Sequence, residues 1–386
     1  MCDSNFDDIR PFNDEEAVQA FERIASHPRM AEISAYIYPR KDPALILNLI
    51  RSCTSVQMFQ EQVMIPAIEA IVTKTSAGFT WGGEDNIRNA SPAFLAISNH
   101  RDIVCDPALF QYLLFRCGVP MTDICIGSNL LDRQLTKDIM GVNRMVKVNR
   151  GIESRELYLS SLHLSTFLRR EITSGSRSVW VAQKEGRSKN GIDRTAQGVI
   201  KMLDMSGEGT VAENLAPLHI LPISISYEYE PCDILKAREL YISRTRKYVK
   251  SPGEDMMSIR TGVGQNKGRI HMEAAPALTL AELEEASALS GNERYKYVMK
   301  LVDKRIISHY KLWKTNYIAC DLLDGNQAHA EHYTAEEKAE FKQYSEAMVA
   351  RMGRELNKAE LMDIFLHIYA NPVRAAENIN QKNIEL

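Results

Sequence analysis

The sequence predicts an α/β protein with a mostly parallel central sheet flanked by helices, and three observations lead to this fold class. Between about residues 86 and 273, short apolar runs of strand length alternate with segments of helical periodicity. Those runs are continuously apolar, which is typical of strands covered on both faces. The chain before and after this part has helical periodicity, so we expect helical N-terminal and C-terminal extensions.

The predicted elements divide the chain into three regions. Residues 1–85 are expected to be a helical N-terminal region, with a polar helix start at 13–16 and a glycine-rich loop over 76–83. Residues 86–325 are expected to form the α/β domain, and residues 326–386 a helical C-terminal extension. Six apolar runs predict the strands of the α/β domain: 94–97, 123–127, 145–148, 178–182, 218–227 and 268–273.

Composition narrows the class of protein. The 386 residues are 45% hydrophobic and 25% charged with a formal net charge of −3, which does not suggest binding to nucleic acid. Seven cysteines without a C-x-x-C pair favour free thiols in a reducing compartment. The acidic start lacks the apolar core of a signal peptide, and no apolar run reaches the roughly 18 residues of a membrane span. We therefore expect a cytoplasmic protein.

The stretch between the first predicted strand and the next helix carries the most informative polar residues. It combines His100 with Asp102 and Asp106. A neutral imidazole can take a proton from a hydroxyl and a carboxylate can orient the ring, so the stretch is suited to general-base catalysis. The alternative is a helix N-cap beside a structural histidine. Two further histidines, His163 and His219, are expected to be core residues.

Two basic stretches follow later strands of the predicted sheet. Arg150 comes shortly after the third strand, and the loop over residues 183–191 follows the fourth. Ligands of open α/β sheets bind where the strands end, and arginine binds phosphate through parallel hydrogen bonds. Between residues 133 and 201 basic residues outnumber acidic ones. This sheet edge is therefore expected to face a phosphate group or an anionic membrane.

The order of these motifs resembles the glycerolipid acyltransferases, the glycerol-3-phosphate and lysophosphatidic acid acyltransferase superfamily. The motifs are Asn-His-x₅-Asp at 99–106, Val-x-Arg-Gly at 148–151, Glu-Gly-Arg-Ser at 185–188 and Leu-Pro-Ile-Ser at 221–224. The resemblance implies an α/β protein with a His-Asp pair at one sheet edge. It implies transfer of a fatty acyl group from an acyl-CoA or acyl-ACP thioester to a hydroxyl of glycerol-3-phosphate or lysophosphatidic acid in phospholipid synthesis.

The resemblance also implies a role for each matching residue. His100 would be the general base and Asp106 its orienting carboxylate. The residues implied to bind the phosphate-bearing acceptor are Arg150, Glu185, Gly186, Arg187 and Ser188. No metal and no cofactor beyond the acyl-CoA or acyl-ACP co-substrate is expected. The local excess of cations, without a predicted span, leads us to expect peripheral attachment to the cytoplasmic face of a membrane.

Two departures from the family pattern indicate a divergent member. Five residues rather than the usual four separate His100 from Asp106, so Asp102 stays an alternative partner. The third motif lacks the residue that usually stands between Gly186 and Arg187. Two alternatives therefore stay open: an O-acyltransferase for an amino-acid-linked lipid, and a peripheral lipid-binding relative without catalytic activity.

Overall fold

A seven-stranded sheet organises the part of the chain that the computed structural model describes, residues 5–90, 92–130, 133–151 and 153–382. Residues 1–4, which include Cys2 and part of the predicted acidic start, lie outside the described residues. The strands are β1 (Gly78–Gly82), β2 (Leu95–Ser98), β3 (Asp123–Gly127), β4 (Met145–Val148), β5 (Val179–Ala182), β6 (Ile220–Tyr227) and β7 (Arg269–Ala274). Their order in the sheet is β1-β7-β6-β2-β5-β3-β4.

Helices precede, flank and follow the sheet. The N-terminal helices are α1 (Asp14–Ser26), α2 (Pro28–Ile37), α3 (Pro43–Ser52), α4 (Val56–Phe59) and α5 (Ile65–Thr75), the last two joined by a π-helical turn (Gln60–Met64). Next come α6 (Glu84–Arg88), α7 (Cys105–Cys117), α8 (Gln134–Gly141), α9 (Ser154–Thr173), α10 (Gln197–Asp204), α11 (Val211–Leu215), α12 (Asp233–Ser243) and α13 (Glu254–Gly264). The remaining helices are α14 (Leu280–Ser287), α15 (Glu293–Ser308), α16 (Lys314–Asp324), α17 (Ala335–Ala350) and α18 (Lys358–Lys382).

The predicted fold class is confirmed, because five adjacent strands run parallel. Strand β2 pairs in parallel with β5 and β6, and β3 with β4 and β5. Every residue of β2 is buried, as expected for a strand covered on both faces. Strand β7 runs antiparallel to β6 and pairs in parallel with β1. The carboxyl ends of β2, β3, β4 and β5 therefore share one edge of the sheet.

Apolar layers cover both faces of the sheet. On one face α9, α10, α11, α14 and α15 pack against the strands, and on the other face α5 and α7 do so. The C-terminal helices α16, α17 and α18 pack with α12 in a cluster of their own, and α1 packs with α3 and α8 in another. Across the described ranges, no helix combines the length and apolar character needed to cross a membrane.

Three local predictions are wrong. The glycine-rich segment expected to be a loop contains β1, whose pairing partner β7 lies far away in the sequence. His219 is exposed, with a left-handed backbone (φ 45°) just before β6, rather than in the core. His163 is only partly buried, and its Nε2 lies 3.0 Å from Oδ1 of Asp8 in a surface pair. Neither histidine is a core residue.

Candidate active site

The loop after β2 is held in place by two neighbouring strands. Asn99 is buried, and its amide oxygen accepts from the backbone N–H of Ile225 at 2.8 Å while its nitrogen donates to the Ile225 carbonyl at 3.0 Å. The backbone carbonyl of His100 accepts from the N–H of Ser188 at 2.6 Å, in the loop after β5. These bonds fix His100 at the carboxyl end of the parallel strands.

His100 and Asp106 form a hydrogen-bonded pair. Nδ1 of His100 lies 2.9 Å from Oδ2 of Asp106, and the carboxylate is fully buried whereas the imidazole is 14% exposed. The same carboxylate oxygen accepts from the backbone N–H groups of Arg101 at 2.5 Å and Asp102 at 2.8 Å. These donors compensate for the burial of a charge. With Nδ1–H donating to the carboxylate, Nε2 carries the lone pair and is the nitrogen that can accept a proton.

Asp102 makes different contacts. Its Oδ1 accepts from the N–H of Val104 at 2.9 Å and of Cys105 at 2.7 Å, so the side chain caps the start of α7. Gly262 of α13 packs so closely against its other carboxylate oxygen that a Cβ would not fit. The geometry therefore pairs His100 with Asp106 and gives Asp102 the capping contact.

A cavity of about 680 Å³ opens beside His100. Its apolar lining comes from α5, α7, α8 and β3, and includes Ile65, Ile68, Pro107, Ala108, Ile124, Ile126, Leu135 and Ile139. The indole of Trp180 on β5 packs edge-on against the imidazole, with ring centroids 5.8 Å apart. A largely apolar cavity of this size, with a few polar groups, is typical of a small-molecule site.

Cationic side chains from two loops line the same cavity. Arg150 follows β4, and Arg187 and Lys189 follow β5. Nη1 of Arg187 is buried and has no hydrogen-bond partner among the described residues. Nε of Arg150 lies 3.8 Å from Oε1 of Glu185, a loose ion pair with a carboxylate that is 76% exposed. A buried guanidinium N–H without a partner beside a cavity is suited to an anionic ligand.

Of the residues predicted to bind phosphate, some line the cavity and others do not. The cavity that contains His100 is lined by Arg150, Gly186 and Arg187. The Glu185 side chain is mostly exposed and contacts Arg150. Ser188 is buried, and its hydroxyl donates to the carbonyl of Ile192 at 2.9 Å. The contacts of Ser188 therefore support the loops around the site.

Sequence reasoning missed two aromatic residues that contact the pair. Tyr227 donates from its hydroxyl to Oδ1 of Asp106 at 2.7 Å, and Trp180 packs on His100. The strand pattern places Tyr227 two residues after Ile225 on β6, so it faces the same apolar side of the sheet, but this does not indicate a contact with Asp106. The aspartate that it contacts lies 121 residues away, and no local pattern shows that pairing.

Comparison with known proteins shows a weak similarity to a solved structure. The chain matches no protein-family model and no curated protein. It is similar to the crystal structure of the 1-acyl-sn-glycerophosphate (LPA) acyltransferase PlsC from Thermotoga maritima, with 13% sequence identity and a TM-score of 0.39. That similarity covers 76% of this chain and 94% of the other. Such values are too low to assign a function, which has to be inferred from the chain's own residues.

Proposed function

We propose that the protein is an acyltransferase that moves a fatty acyl group from a thioester, acyl-CoA or acyl-ACP, to a hydroxyl of a phosphate-bearing lipid precursor. Glycerol-3-phosphate and lysophosphatidic acid are the proposed acceptors. The supporting observation is that His100, paired with the buried Asp106, lines one mostly apolar cavity together with Arg187, whose buried Nη1 has no hydrogen-bond partner within the described ranges. A base, an anion-binding group and room for an apolar chain are what this reaction requires.

The proposed reaction begins at Nε2 of His100. This nitrogen takes the proton of the acceptor hydroxyl as the hydroxyl oxygen attacks the thioester carbonyl carbon. The tetrahedral intermediate then collapses, the carbon–sulfur bond breaks, and the imidazolium returns its proton to the leaving thiolate. Asp106 keeps the ring oriented and stabilises the imidazolium. The base contributes roughly 10²–10⁴-fold, and the rest comes from holding both substrates together away from water.

The proposed role of the cationic residues is to bind the acceptor phosphate. Arg187 has a buried N–H that can donate to the phosphate, and the long ion pair of Arg150 with Glu185 can be replaced by the phosphate. A guanidinium binds phosphate through two parallel hydrogen bonds, so it fixes the orientation of the acceptor as well as its position. Gly186 lines the cavity and has a backbone φ of 71°, a conformation that favours glycine. Because glycine has no side chain, the loop can approach the ligand closely.

The test supplies purified protein with palmitoyl-CoA and, in parallel, with palmitoyl-ACP, adds a panel of acceptors, and identifies the products by mass spectrometry. The panel holds glycerol-3-phosphate, lysophosphatidic acid, monoacylglycerol and an amino-acid-linked lipid with a free hydroxyl. We expect acylation of a phosphate-bearing acceptor. The variant Arg187→Gln should raise the KM for that acceptor by about 10-fold or more, because a charge-assisted bond is lost. The control Arg155→Gln removes an exposed cation of α9 and should change nothing.

The other outcomes separate the alternatives. Acylation of the amino-acid-linked lipid, without inhibition by inorganic phosphate, would favour that acceptor class over a phosphate-bearing one. Absence of thioester turnover with every acceptor would favour a lipid-binding protein without catalytic activity. Either result would overturn the proposed acceptor or the proposed chemistry.

We also propose that the cavity mouth rests on the cytoplasmic leaflet of an anionic membrane. Ile33 of α2 and Met256 of α13 line the cavity and are exposed, so the cavity opens to solvent beside these helices. Tyr36 and Met257 are further exposed apolar side chains on the same two helices, and Val249 is exposed in the loop before α13. The cations Arg29 and Lys250 line the cavity there as well. Apolar side chains among cations are typical of a surface that binds anionic lipid.

Vesicle co-sedimentation tests this proposal. The variant Met257→Glu should weaken binding to vesicles of phosphatidylglycerol and phosphatidylcholine several-fold, because it places a negative charge on the proposed contact surface. The control Leu280→Glu changes an equally exposed apolar residue on α14 and should bind like the parent protein. Equal binding of the parent to neutral and anionic vesicles would contradict the proposal.

A further inference from the structure

The two oxygens of the Asp106 carboxylate have different partners. Oδ2 accepts from Nδ1 of His100 and from two backbone N–H groups of the loop. Oδ1 accepts from the hydroxyl of Tyr227 at 2.7 Å. The hydroxyl of Tyr227 is thus the contact on the side of the carboxylate away from the imidazole, and it comes from a strand rather than from the loop.

Tyr227 is rigidly placed. It ends β6, faces the same apolar cluster as Ile225, and is 4% exposed. Its backbone pairs with Ile270 of the antiparallel neighbour β7. Burial, and then the negative charge of Asp106, raise the pKa of Tyr227 well above its ordinary value of 10. The phenol therefore keeps its proton and remains a donor.

We propose that Tyr227 is a positioning residue of the His100–Asp106 pair, whose hydroxyl fixes the rotation of the carboxylate so that Oδ2 faces Nδ1 of the imidazole. Rotation of a carboxylate about its last side-chain bond is soft, and backbone donors on one oxygen alone leave the other oxygen unsatisfied. This inference rests on the proposed function only because turnover is one of the quantities measured. The contact between Tyr227 and Asp106 does not depend on that function.

The orientation of the carboxylate can be observed at the imidazole. While Oδ2 faces Nδ1, the imidazole keeps its Nδ1 proton in a hydrogen bond to the carboxylate. Removal of the Tyr227 hydroxyl leaves the carboxylate free to rotate, so this hydrogen bond should weaken. A residue that merely fills space would not change it.

The experiment compares the parent protein with Tyr227→Phe, which removes one oxygen atom. The Nδ1–H resonance of His100 is observed by NMR of ¹⁵N-histidine-labelled protein and assigned with His100→Gln. We expect this resonance in Tyr227→Phe to move upfield or to be lost by exchange with solvent, because its hydrogen bond to Oδ2 weakens. We expect kcat to fall about 10-fold with KM for both substrates within twofold.

The control variant is Tyr229→Phe. Tyr229 is half-buried and packs edge-on against Tyr344, with ring centroids 4.8 Å apart. This substitution should leave both the His100 resonance and kcat unchanged. An unshifted His100 resonance with unchanged kcat in folded Tyr227→Phe would overturn the positioning role. A shifted resonance, where the parent protein transfers no acyl group, would instead overturn the proposed function and leave the positioning role intact.

A second substitution covers the case in which Tyr227→Phe does not fold. Incorporation of 4-fluorophenylalanine at position 227 alone places a fluorine atom where the hydroxyl stands, so the ring keeps nearly its full size but loses the donor. The Nδ1–H resonance of His100 should then change as in Tyr227→Phe. An unchanged resonance with unchanged kcat in this protein would contradict the proposal.

Discussion

Two polar clusters contain adjacent residues, His100 in one and Arg101 in the other, and the clusters differ in how far their side chains are exposed. The His100 side chain is partly exposed beside the cavity and pairs with one carboxylate. The Arg101 side chain is buried and donates to Asp193 from Nε at 3.1 Å and from Nη2 at 2.7 Å. It also donates from Nη1 to Glu230 at 3.2 Å. One cluster opens onto the cavity, and the other is enclosed.

The enclosed cluster, which we call the sealed network, consists of Arg101, Asp193, Glu230 and Lys236. Nζ of Lys236 donates to Oε1 of Glu230 at 2.6 Å and to the backbone carbonyl of Arg101 at 2.7 Å. Its two cations and two anions give the network no net charge. Burial raises the pKa of Asp193, but the Arg101 charge and several hydrogen bonds outweigh burial, so the net effect lowers its pKa.

The comparison shows how one loop can supply both a reactive group and the rigidity that the group needs. A buried network of balanced charges resists movement, because removal of any member leaves an uncompensated charge. His100 is one residue away from that network, so its backbone has little freedom. Its side chain nevertheless keeps Nε2 free of the Asp106 contact, on the ring that lines the cavity.

The largest expected effect is on the open cluster. Asp106→Asn should lower turnover about 10³-fold, because an amide cannot stabilise the imidazolium or hold the same tautomer. Asp102→Asn should stay within about threefold of the parent, because an amide oxygen can still cap α7. Steady-state kinetics of the two variants measures the difference. An inactive Asp102→Asn beside a nearly fully active Asp106→Asn would show that the partner assignment is wrong.

The sealed network should respond in stability rather than in chemistry. Asp193→Asn should lower the free energy of unfolding by about 3–5 kcal/mol, since Arg101 and Lys236 would then share one anion. Urea denaturation measures the loss. Asp8→Asn breaks the surface pair with His163 and should cost less than about 1 kcal/mol. Equal effects of the two substitutions would contradict the distinction between sealed and exposed pairs.

A smaller, pH-dependent effect is expected at Asp123, a buried carboxylate at the start of β3. Its Oδ1 has no hydrogen-bond partner among the described residues, and burial raises its pKa to about 7. A raised pKa means that its contribution is fully present below about pH 4, the unfolded value, and is lost as pH rises through 7. Asp123→Asn should therefore add about 2–4 kcal/mol at pH 8 relative to the parent and much less at pH 4.

Thermal or urea unfolding at the two pH values checks this prediction. The same measurement on Asp193→Asn serves as the comparison, because the pKa of Asp193 is lowered and its contribution is lost only as pH falls below about 4. A parent protein with no loss of stability between pH 4 and pH 8, and no gain in Asp123→Asn, would contradict the prediction.

The local parts of the fold were predictable from the sequence, and the non-local parts were not. Strands β3 and β4 have the predicted ends, because turn residues bound their apolar runs. Strand β1 was missed because it is half-buried, begins and ends with glycine, and depends on pairing with β7 about 190 residues later. His219 was misplaced because it adopts a left-handed backbone that ends a turn directly before β6 rather than continuing the strand.

The same division holds for the candidate site. His100, Asp106, Arg150 and Arg187 lie in short motifs after strands, and the shared edge of a parallel sheet brings three of them to one cavity as lining residues. The Arg101–Asp193 bond of the sealed network and the contact between Tyr227 and Asp106 join side chains more than 90 residues apart. Local sequence patterns do not predict such pairings, which are seen only in the three-dimensional structure.

The most direct measurement is acyl transfer by His100→Ala, with His163→Ala as its control. His163 also pairs with an aspartate at hydrogen-bond distance, but it does so at the surface of α9. The proposed mechanism predicts that His100→Ala retains its fold by circular dichroism and loses turnover by about 10²–10⁴-fold, while His163→Ala keeps the parent rate. Parent-level acyl transfer by folded His100→Ala would contradict the role of His100 as the base.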